Sequence, residues 1–278
     1  MNNKPQYLLT FLMVIFVVQL NANSNNTDIY GLLNEAFVRD KDEILDTIFI
    51  RWKTESVPIS KKELSQFPRK EKLTYQLFKK FYSPIIDVED LPKDIKKSYS
   101  NPDSLEQYVP YRLPKYIVVQ SNIRIGFVES FSEIVNINEH EIESYLEQSE
   151  TIINFKPAIK IKDKTILFQN SGYETGIYNF VITDNKCDNI DDEKCFKMKY
   201  NERLKRSLFL QDYIGTLFGH WGGLHTITLP QVNFIVYNKN MRLALIYYRD
   251  TWFSGGEAMY FRVGQKWMKI YKRNTWME

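Results

Sequence analysis

Two of the three histidines, His220 and His225, lie close together near the start of the C-terminal region, with Trp221 and a Gly-Gly pair between them. Histidine titrates near neutral pH, and a neighbouring carboxylate can fix its tautomer so that it acts as a general acid or base. Asp250 and Glu257 follow near the facing ends of two predicted strands. One hypothesis is therefore a pocket enzyme of isomerase or hydrolase type, in which His220 or His225 works with Asp250 or Glu257.

The same residues also fit a protein that binds without catalysing a reaction, and this is the leading hypothesis. His220 and His225 are five positions apart, which matches the metal-binding spacing of neither a helix nor a strand, so no metal and no cofactor is predicted. In this interpretation His220 and Trp221 anchor the start of a strand. The candidate binding residues are His220, Trp221, His225, Arg249 and Glu257.

The overall charge argues against one class of partner. Lysine and arginine number 37 against 34 acidic residues, which leaves a net charge of +3. Nucleic-acid binding needs a much stronger basic field, and no phosphate-binding glycine loop occurs. The predicted partner is therefore a small ligand or an envelope or extracellular protein, and not nucleic acid.

The N-terminus has the pattern of a secretory signal peptide. Lys4 precedes an apolar run at residues 8–20, and small residues such as Ala22 and Ser24 follow it. The run is shorter than the ~20 apolar residues that a membrane-spanning helix needs. We expect residues 1–22 to be a signal peptide and the protein to be exported, either periplasmic or secreted. The alternative is an uncleaved anchor, and membrane association is expected only in that case.

The two cysteines fit an exported protein. Cys187 and Cys195 lie in one acidic loop, and an even pair in an oxidising compartment is typically a disulfide. A zinc site is a poor alternative, because no histidine lies near these thiols. The sequence therefore predicts a Cys187–Cys195 disulfide.

The first third of the chain has helical periodicity. Apolar residues recur at helical spacing in residues 29–37, 44–52 and 73–81, and Ser60 with Glu63 forms a capping-box pattern. Residues 83–114 are rich in proline, which favours a connector over regular structure. Residues 23–114 are therefore predicted to be a helical region with a proline-rich connector.

The remainder, residues 115–278, is predicted to be a sheet-rich domain. Short apolar runs at residues 116–120 and 123–128 predict one hairpin, and runs at 158–161 and 165–168 predict a second. Residues 171–182 fit a helix or a strand, and residues 202–210 have a helical pattern.

The C-terminal strands are the best specified in the sequence. Four strand-like runs, at residues 232–237, 243–249, 257–262 and 266–272, are joined by short connections. Short connections predict an antiparallel meander, and the almost wholly apolar run at 243–249 predicts a central strand covered on both faces. The fold class is therefore α+β, with N-terminal helices, middle hairpins and a C-terminal antiparallel meander.

The end of the meander resembles a known family. Gly264, Lys266, Trp267 and Ile270 form a glycine-x-lysine-tryptophan-x-hydrophobic strand ending. This ending, after helices and long antiparallel strands, resembles the cystatin-like cone of the nuclear-transport-factor superfamily. The resemblance implies a curved sheet with a pocket, and not an activity, because the superfamily includes enzymes, ligand-binding proteins and adaptors. Binding through the curved sheet is therefore the expected role.

Overall fold

A computed structural model describes residues 28–83, 114–130, 150–152, 154–182, 193–218, 224–250 and 254–277. Within these ranges the chain has the predicted α+β architecture, with helices first and the longest strands last. Six helices are described, and their bounds are α1 Ile29–Arg39, α2 Asp42–Glu55, α3 Lys61–Gln66, α4 Arg69–Phe81, α5 Ser171–Ile182 and α6 Glu193–Leu210. The described strands are β1 Tyr116–Val119, β2 Ile123–Val128, β3 Glu150–Ile152, β4 Thr165–Phe168, β5 Leu217–Phe218, β6 Leu224–His225, β7 Gln231–Asn238, β8 Leu243–Arg249, β9 Ser254–Val263 and β10 Lys266–Met277.

The N-terminal helices form where the sequence predicts them, and side-chain caps fix where two of them start. The Asp28 side chain accepts a hydrogen bond from the Gly31 amide (2.9 Å) at the start of α1. Ser60 and Glu63 form the predicted capping box at the start of α3, with each side chain accepting from the other's amide. Each cap satisfies amides that have no partner inside the helix.

The later helical segments resolve one open question. Residues 171–182, which fit both a helix and a strand, form the helix α5, and the predicted helix at 202–210 is the C-terminal part of α6. Within the described ranges, no helix combines the length and the apolar composition that crossing a bilayer requires.

The main sheet contains the predicted meander. Its described strands lie in the order β10-β9-β8-β7-β2-β3, and the four strands from β7 to β10 are joined antiparallel. The interior of β8 is buried on both faces, as its apolar sequence predicts. The strand β2 lies parallel to β7, so the sheet as a whole is mixed.

The two predicted middle hairpins are wrong. β1 pairs with β4 in a parallel two-stranded sheet, β2 pairs with β3 and β7 in the main sheet, and residues 158–161 form no strand. The reason lies at Gln120, whose amide nitrogen donates to the Asn122 and Val232 carbonyls (2.8 Å each) and whose oxygen accepts from the Val232 amide. These bonds make Ser121-Asn122 a corner between two sheets instead of a hairpin turn.

One apolar cluster, which we call the sheet core, joins α4 to the main sheet. Phe78 and Leu77 from the helix pack with Ile235 and Ile246 from the strands, and all four residues are fully buried. Trp267 closes this cluster by donating from its indole nitrogen to the Leu73 carbonyl (3.1 Å). The N-terminal helices are therefore attached to the C-terminal sheet by burial of apolar surface.

A second apolar cluster, the helical core, joins α1, α2, α5 and α6 to the small parallel sheet. Trp52 is fully buried there, stacks on Tyr173 and donates to the Phe168 carbonyl (2.9 Å). Both cores contain residues from either side of residue 114. The division into regions 23–114 and 115–278 stays a prediction, and the connector at 84–113 lies outside the described residues.

Candidate functional site

A cleft of about 380 Å³ opens between α5 and the segment that leads from β6 into β7. This volume is within the ~300–1,000 Å³ typical of small-molecule sites. Most of its described lining residues are polar, and Leu224 and Ile227 add apolar surface. The described lining comprises Gln169, Glu174, Thr175, Tyr178, Leu224, His225, Thr226, Ile227 and Gln231.

The helix α5 presents one wall of the cleft because its other face is held in the helical core. Tyr173, Ile177 and Phe180 are buried on that face. Gly176 lies against α1 so closely that an added Cβ would come within 2.5 Å of the Ile29 Cβ. Glu174, Thr175 and Tyr178 occupy the opposite side of the helix and line the cleft.

The opposite wall is fixed by backbone hydrogen bonds to β1. The Thr228 amide donates to the Val118 carbonyl (2.8 Å), and the Val118 amide donates to the Thr228 hydroxyl (3.1 Å). His225 lies just before this attachment, in β6, opposite Leu217 of β5. The short strands and the attachment to β1 therefore place the imidazole at the cleft.

Among the described lining residues, Glu174 has a buried side-chain oxygen without a hydrogen-bond partner. Its Oε2 accepts a hydrogen bond from the Gln169 amide nitrogen (3.3 Å), but its Oε1 is buried and has no hydrogen-bond partner among the described residues. Burial raises the pKa of this carboxyl to about 7, and the Gln169 hydrogen bond only partly opposes that rise. Buried polar atoms are nearly always hydrogen-bonded, so an unsatisfied carboxylate oxygen in a cleft indicates a ligand position.

Gln169 positions Glu174 through the corner that separates the two sheets. The Ser121 amide donates to the Gln169 side-chain oxygen (3.1 Å), and the Ser121 hydroxyl donates to the Gln169 carbonyl (3.3 Å). The first bond orients the Gln169 amide so that its nitrogen faces Glu174. Ser121 thus orients Gln169, which in turn donates one hydrogen bond to the carboxyl.

His225 is half-buried at the same cleft. Burial, together with the nearby positive charge of Arg249, lowers the pKa of the imidazole below its ordinary value. His225 is therefore neutral at physiological pH and can donate from one ring nitrogen and accept at the other.

The other predicted site residues occupy different positions. Arg249 ends β8, where it lies opposite Gln231 and Gly255, and its charge acts on His225. His220 and Trp221 lie outside the described residues.

Glu257 belongs to a satisfied cluster on the sheet. Its carboxylate accepts from the Tyr271 hydroxyl (2.9 Å) and from Arg273 Nε (2.8 Å), and the second guanidinium nitrogen lies at 2.6 Å. Glu257 is not among the described residues that line the cleft. In the structure, this predicted binding residue is hydrogen-bonded within the sheet to Tyr271 and Arg273.

The sequence predicted that a histidine pairs with Asp250 or Glu257. In the described structure a different carboxylate, Glu174, lines the cleft with His225. Asp250 accepts from the Ser254 hydroxyl (3.0 Å), and Glu257 accepts from Tyr271 and Arg273. The carboxyl that shares the described cleft with His225 is Glu174, which the sequence analysis missed. The available signal was that Glu174 is the single charged residue in the segment 171–182.

The predicted disulfide stays a prediction, because Cys187 lies outside the described residues and the side chain of Cys195 is not described. In the part of the chain that the structure describes, no three His, Cys, Asp or Glu side chains gather as a metal site would require. No protein-family model matches the chain, and no curated protein and no solved structure shows significant similarity to it. The resemblance to the cystatin-like cone therefore also stays a prediction.

Proposed function

We propose that this chain is an exported protein that binds a small polar ligand in the cleft between α5 and the β6–β7 segment. The observation that carries the proposal is the buried Oε1 of Glu174, which has no partner among the described residues, while Oε2 accepts one hydrogen bond from Gln169. A ligand donor at this position would satisfy an atom whose burial is otherwise costly.

The rest of the lining supports a binding role. The Gln169, Gln231, Thr175 and Thr226 side chains supply neutral donors and acceptors around the carboxyl. This lining is more polar than that of a typical small-molecule site, so it favours a polar ligand. Export rests on the signal-peptide pattern at residues 1–22.

A pocket enzyme is the second candidate, and one specific observation favours it. Glu174 and His225 line one cleft, the pKa of the carboxyl is raised to about 7 and that of the imidazole is lowered. Two titratable groups displaced from their ordinary pKa values in one cleft are a common basis for general acid–base catalysis. An isomerase or hydrolase would use them as base and acid.

The binding proposal is tested by screening small polar compounds against the mature protein while its backbone amides are followed by NMR. We expect a binder to shift the amides of Thr175, Thr226 and Gln231 together. In the Glu174→Gln variant that binding should be weaker but still measurable, whereas Glu43→Gln, at an exposed glutamate of α2, should leave it unchanged. A screen in which binders shift amides elsewhere, and never those of the cleft, would contradict the proposal.

The enzyme candidate predicts a different outcome in the same screen. A compound that binds at the cleft should then be consumed, and its consumption should stop in His225→Gln and in Glu174→Gln. Binding without any change of the compound in the NMR spectrum favours the binding protein.

Export has a separate test. The mass of the protein purified from its native source should correspond to a chain that begins after residue 22, near Ala22 or Ser24. An intact Met1 would instead support a retained membrane anchor.

A further inference from the structure

The charge around Glu174 is not balanced within the described cleft. Neither lysine nor arginine is among the described lining residues, and among the described groups it is the neutral amide of Gln169 that lowers the pKa of this carboxyl. Buried carboxylates are normally paired with a cation or fully hydrogen-bonded, because transfer of a lone charge out of water is very unfavourable. Oε1 of Glu174 has neither kind of partner among the described residues.

We propose that the ligand of this cleft carries a protonated amine, which donates to Oε1 of Glu174. This inference rests on the proposed binding function and names the chemistry that the site selects. An ammonium group supplies both things that the carboxyl lacks, a hydrogen-bond donor and a positive charge, and charge-assisted hydrogen bonds are about twice as strong as neutral ones.

Tyr178 strengthens the case for a cation. It lies one helical turn after Glu174 on the same side of α5, lines the cleft, and is 45% exposed although it is a large aromatic residue. The face of an aromatic ring attracts a cation. An amine held by Glu174 therefore lies beside a second group that favours positive charge.

The positive charge near His225 bears on where the amine binds. His225 is near enough to Arg249 for the guanidinium to lower the pKa of the imidazole. The same positive charge disfavours an ammonium group beside His225, because like charges repel. We therefore expect the amine at Glu174 and not at His225.

A polyol is the chemical alternative. Its hydroxyl groups would donate to Oε1 and bond to the amide and hydroxyl side chains of the lining. A neutral ligand would leave the carboxylate charge unbalanced, so binding would favour the protonated carboxyl and gain less from Glu174 than an amine does.

Three probes of matched size separate these possibilities: ethanolamine, ethylene glycol and glycolate, which differ in one terminal group. Each is titrated into the full mature protein at about pH 8, where the Glu174 carboxyl, with a pKa of about 7, is mainly ionised. Binding is measured from the amide shifts of Thr175 and Thr226. We expect ethanolamine to bind about tenfold more tightly than ethylene glycol, and glycolate to bind most weakly.

Two variants locate the preference. Glu174→Gln keeps the shape of the side chain and removes its charge, so the ratio between ethanolamine and ethylene glycol should fall to near one. Glu43→Gln removes one negative charge from the exposed surface of α2 and should leave the ratio unchanged. A thermal melt of both variants verifies that they remain folded.

The outcomes distinguish this inference from the proposed function. If ethylene glycol or glycolate binds at the cleft as tightly as ethanolamine does, the cleft binds ligands and the amine inference is wrong. If ethanolamine keeps its advantage in Glu174→Gln, the inference is also wrong. If neither the probes nor the screened compounds shift the cleft amides, both the inference and the binding function fail.

Discussion

Glu257 and Glu174 are both withdrawn from solvent, but they differ in their hydrogen-bond partners. Glu257 is 7% exposed and accepts hydrogen bonds from Tyr271 and Arg273, so its burial is compensated within the sheet. Glu174 is also largely withdrawn from solvent, yet one of its oxygens has no partner among the described residues and its pKa is raised to about 7. Burial alone therefore does not separate the two glutamates, whereas the missing partner of Glu174 does.

The secondary structure around the two glutamates also differs. The cluster around Glu257 lies within the regular antiparallel ladder of β9 and β10, where Glu257 is opposite Arg273. Glu174 lies where a helix, a sheet corner and a short strand meet, and a cleft opens there. The C-terminal meander holds Glu257 within regular pairing, whereas a cleft opens where the segment that leads into β7 meets α5.

The largest expected contrast between the two regions concerns aromatic residues. Tyr248 is fully buried and donates to Asn274 Oδ1 (3.1 Å), so Tyr248→Ala should lower the free energy of unfolding by about 3–5 kcal/mol. Tyr178→Ala, at the 45% exposed ring of the cleft, should change it by less than about 0.5 kcal/mol. Chemical denaturation measures both. Equal losses would show that the cleft wall is as structural as the sheet.

The next contrast concerns Glu174 itself, which should destabilise the folded protein at high pH. Its pKa is about 7 when folded and near the ordinary 4.5 when unfolded, so the folded state holds a proton in this interval and loses stability as the pH rises through it. Glu174→Gln removes this loss. At about pH 8 the variant should be more stable by about 2 kcal/mol, and below about pH 4 the two proteins should agree.

Glu257→Gln should have the opposite sign. The change removes the ion pair with Arg273 and weakens the acceptor for Tyr271, while Arg273 is itself 60% exposed. Because solvent screens that guanidinium, we expect a loss of only about 1 kcal/mol at neutral pH. Denaturation of both glutamine variants side by side tests the contrast, which fails if Glu257→Gln is stabilising or Glu174→Gln destabilising.

The smallest expected effect is at His225. Its pKa is lowered in the folded protein, so the unfolded state takes up a proton more readily and stability falls as the pH drops below the ordinary value of 6.5. His225→Gln should therefore reduce the loss of stability at acidic pH. Denaturation midpoints measured across acidic pH verify the change, and an unchanged slope would mean that His225 titrates normally.

Local sequence patterns predicted the elements of this fold better than their pairing. The helical stripes, the capping box at Ser60 and the four-stranded meander were predicted from short-range periodicity, and all are confirmed. The middle hairpins were wrong because the fully apolar strand β1 carries no period that indicates its partner. The bonds from Gln120 to Val232, 112 positions away, hold the corner between β1 and β2, and no short window of sequence contains them.

The site was predicted only in part for a related reason. His225 was identified by its chemistry, and it does line the cleft. Glu174 was missed because its importance arises from an unsatisfied oxygen, which depends on Ser121, Gln169 and the cleft wall together. Glu257 has the same residue type and is almost fully buried, yet it is satisfied by Arg273 and Tyr271. Residue type could not separate these two glutamates, and tertiary contacts do.

The most direct measurement is an NMR titration of the Glu174 carboxyl carbon, with Glu174→Gln used to assign the signal, in the free protein and with ethanolamine. We predict a pKa of about 7 in the free protein, because the carboxyl is buried without a cation. Ethanolamine should lower that pKa, because its positive charge favours the ionised carboxylate. A free-protein pKa in the ordinary range near 4.5, or a pKa that ethanolamine leaves unchanged, would contradict a cleft built around this carboxyl to bind an amine.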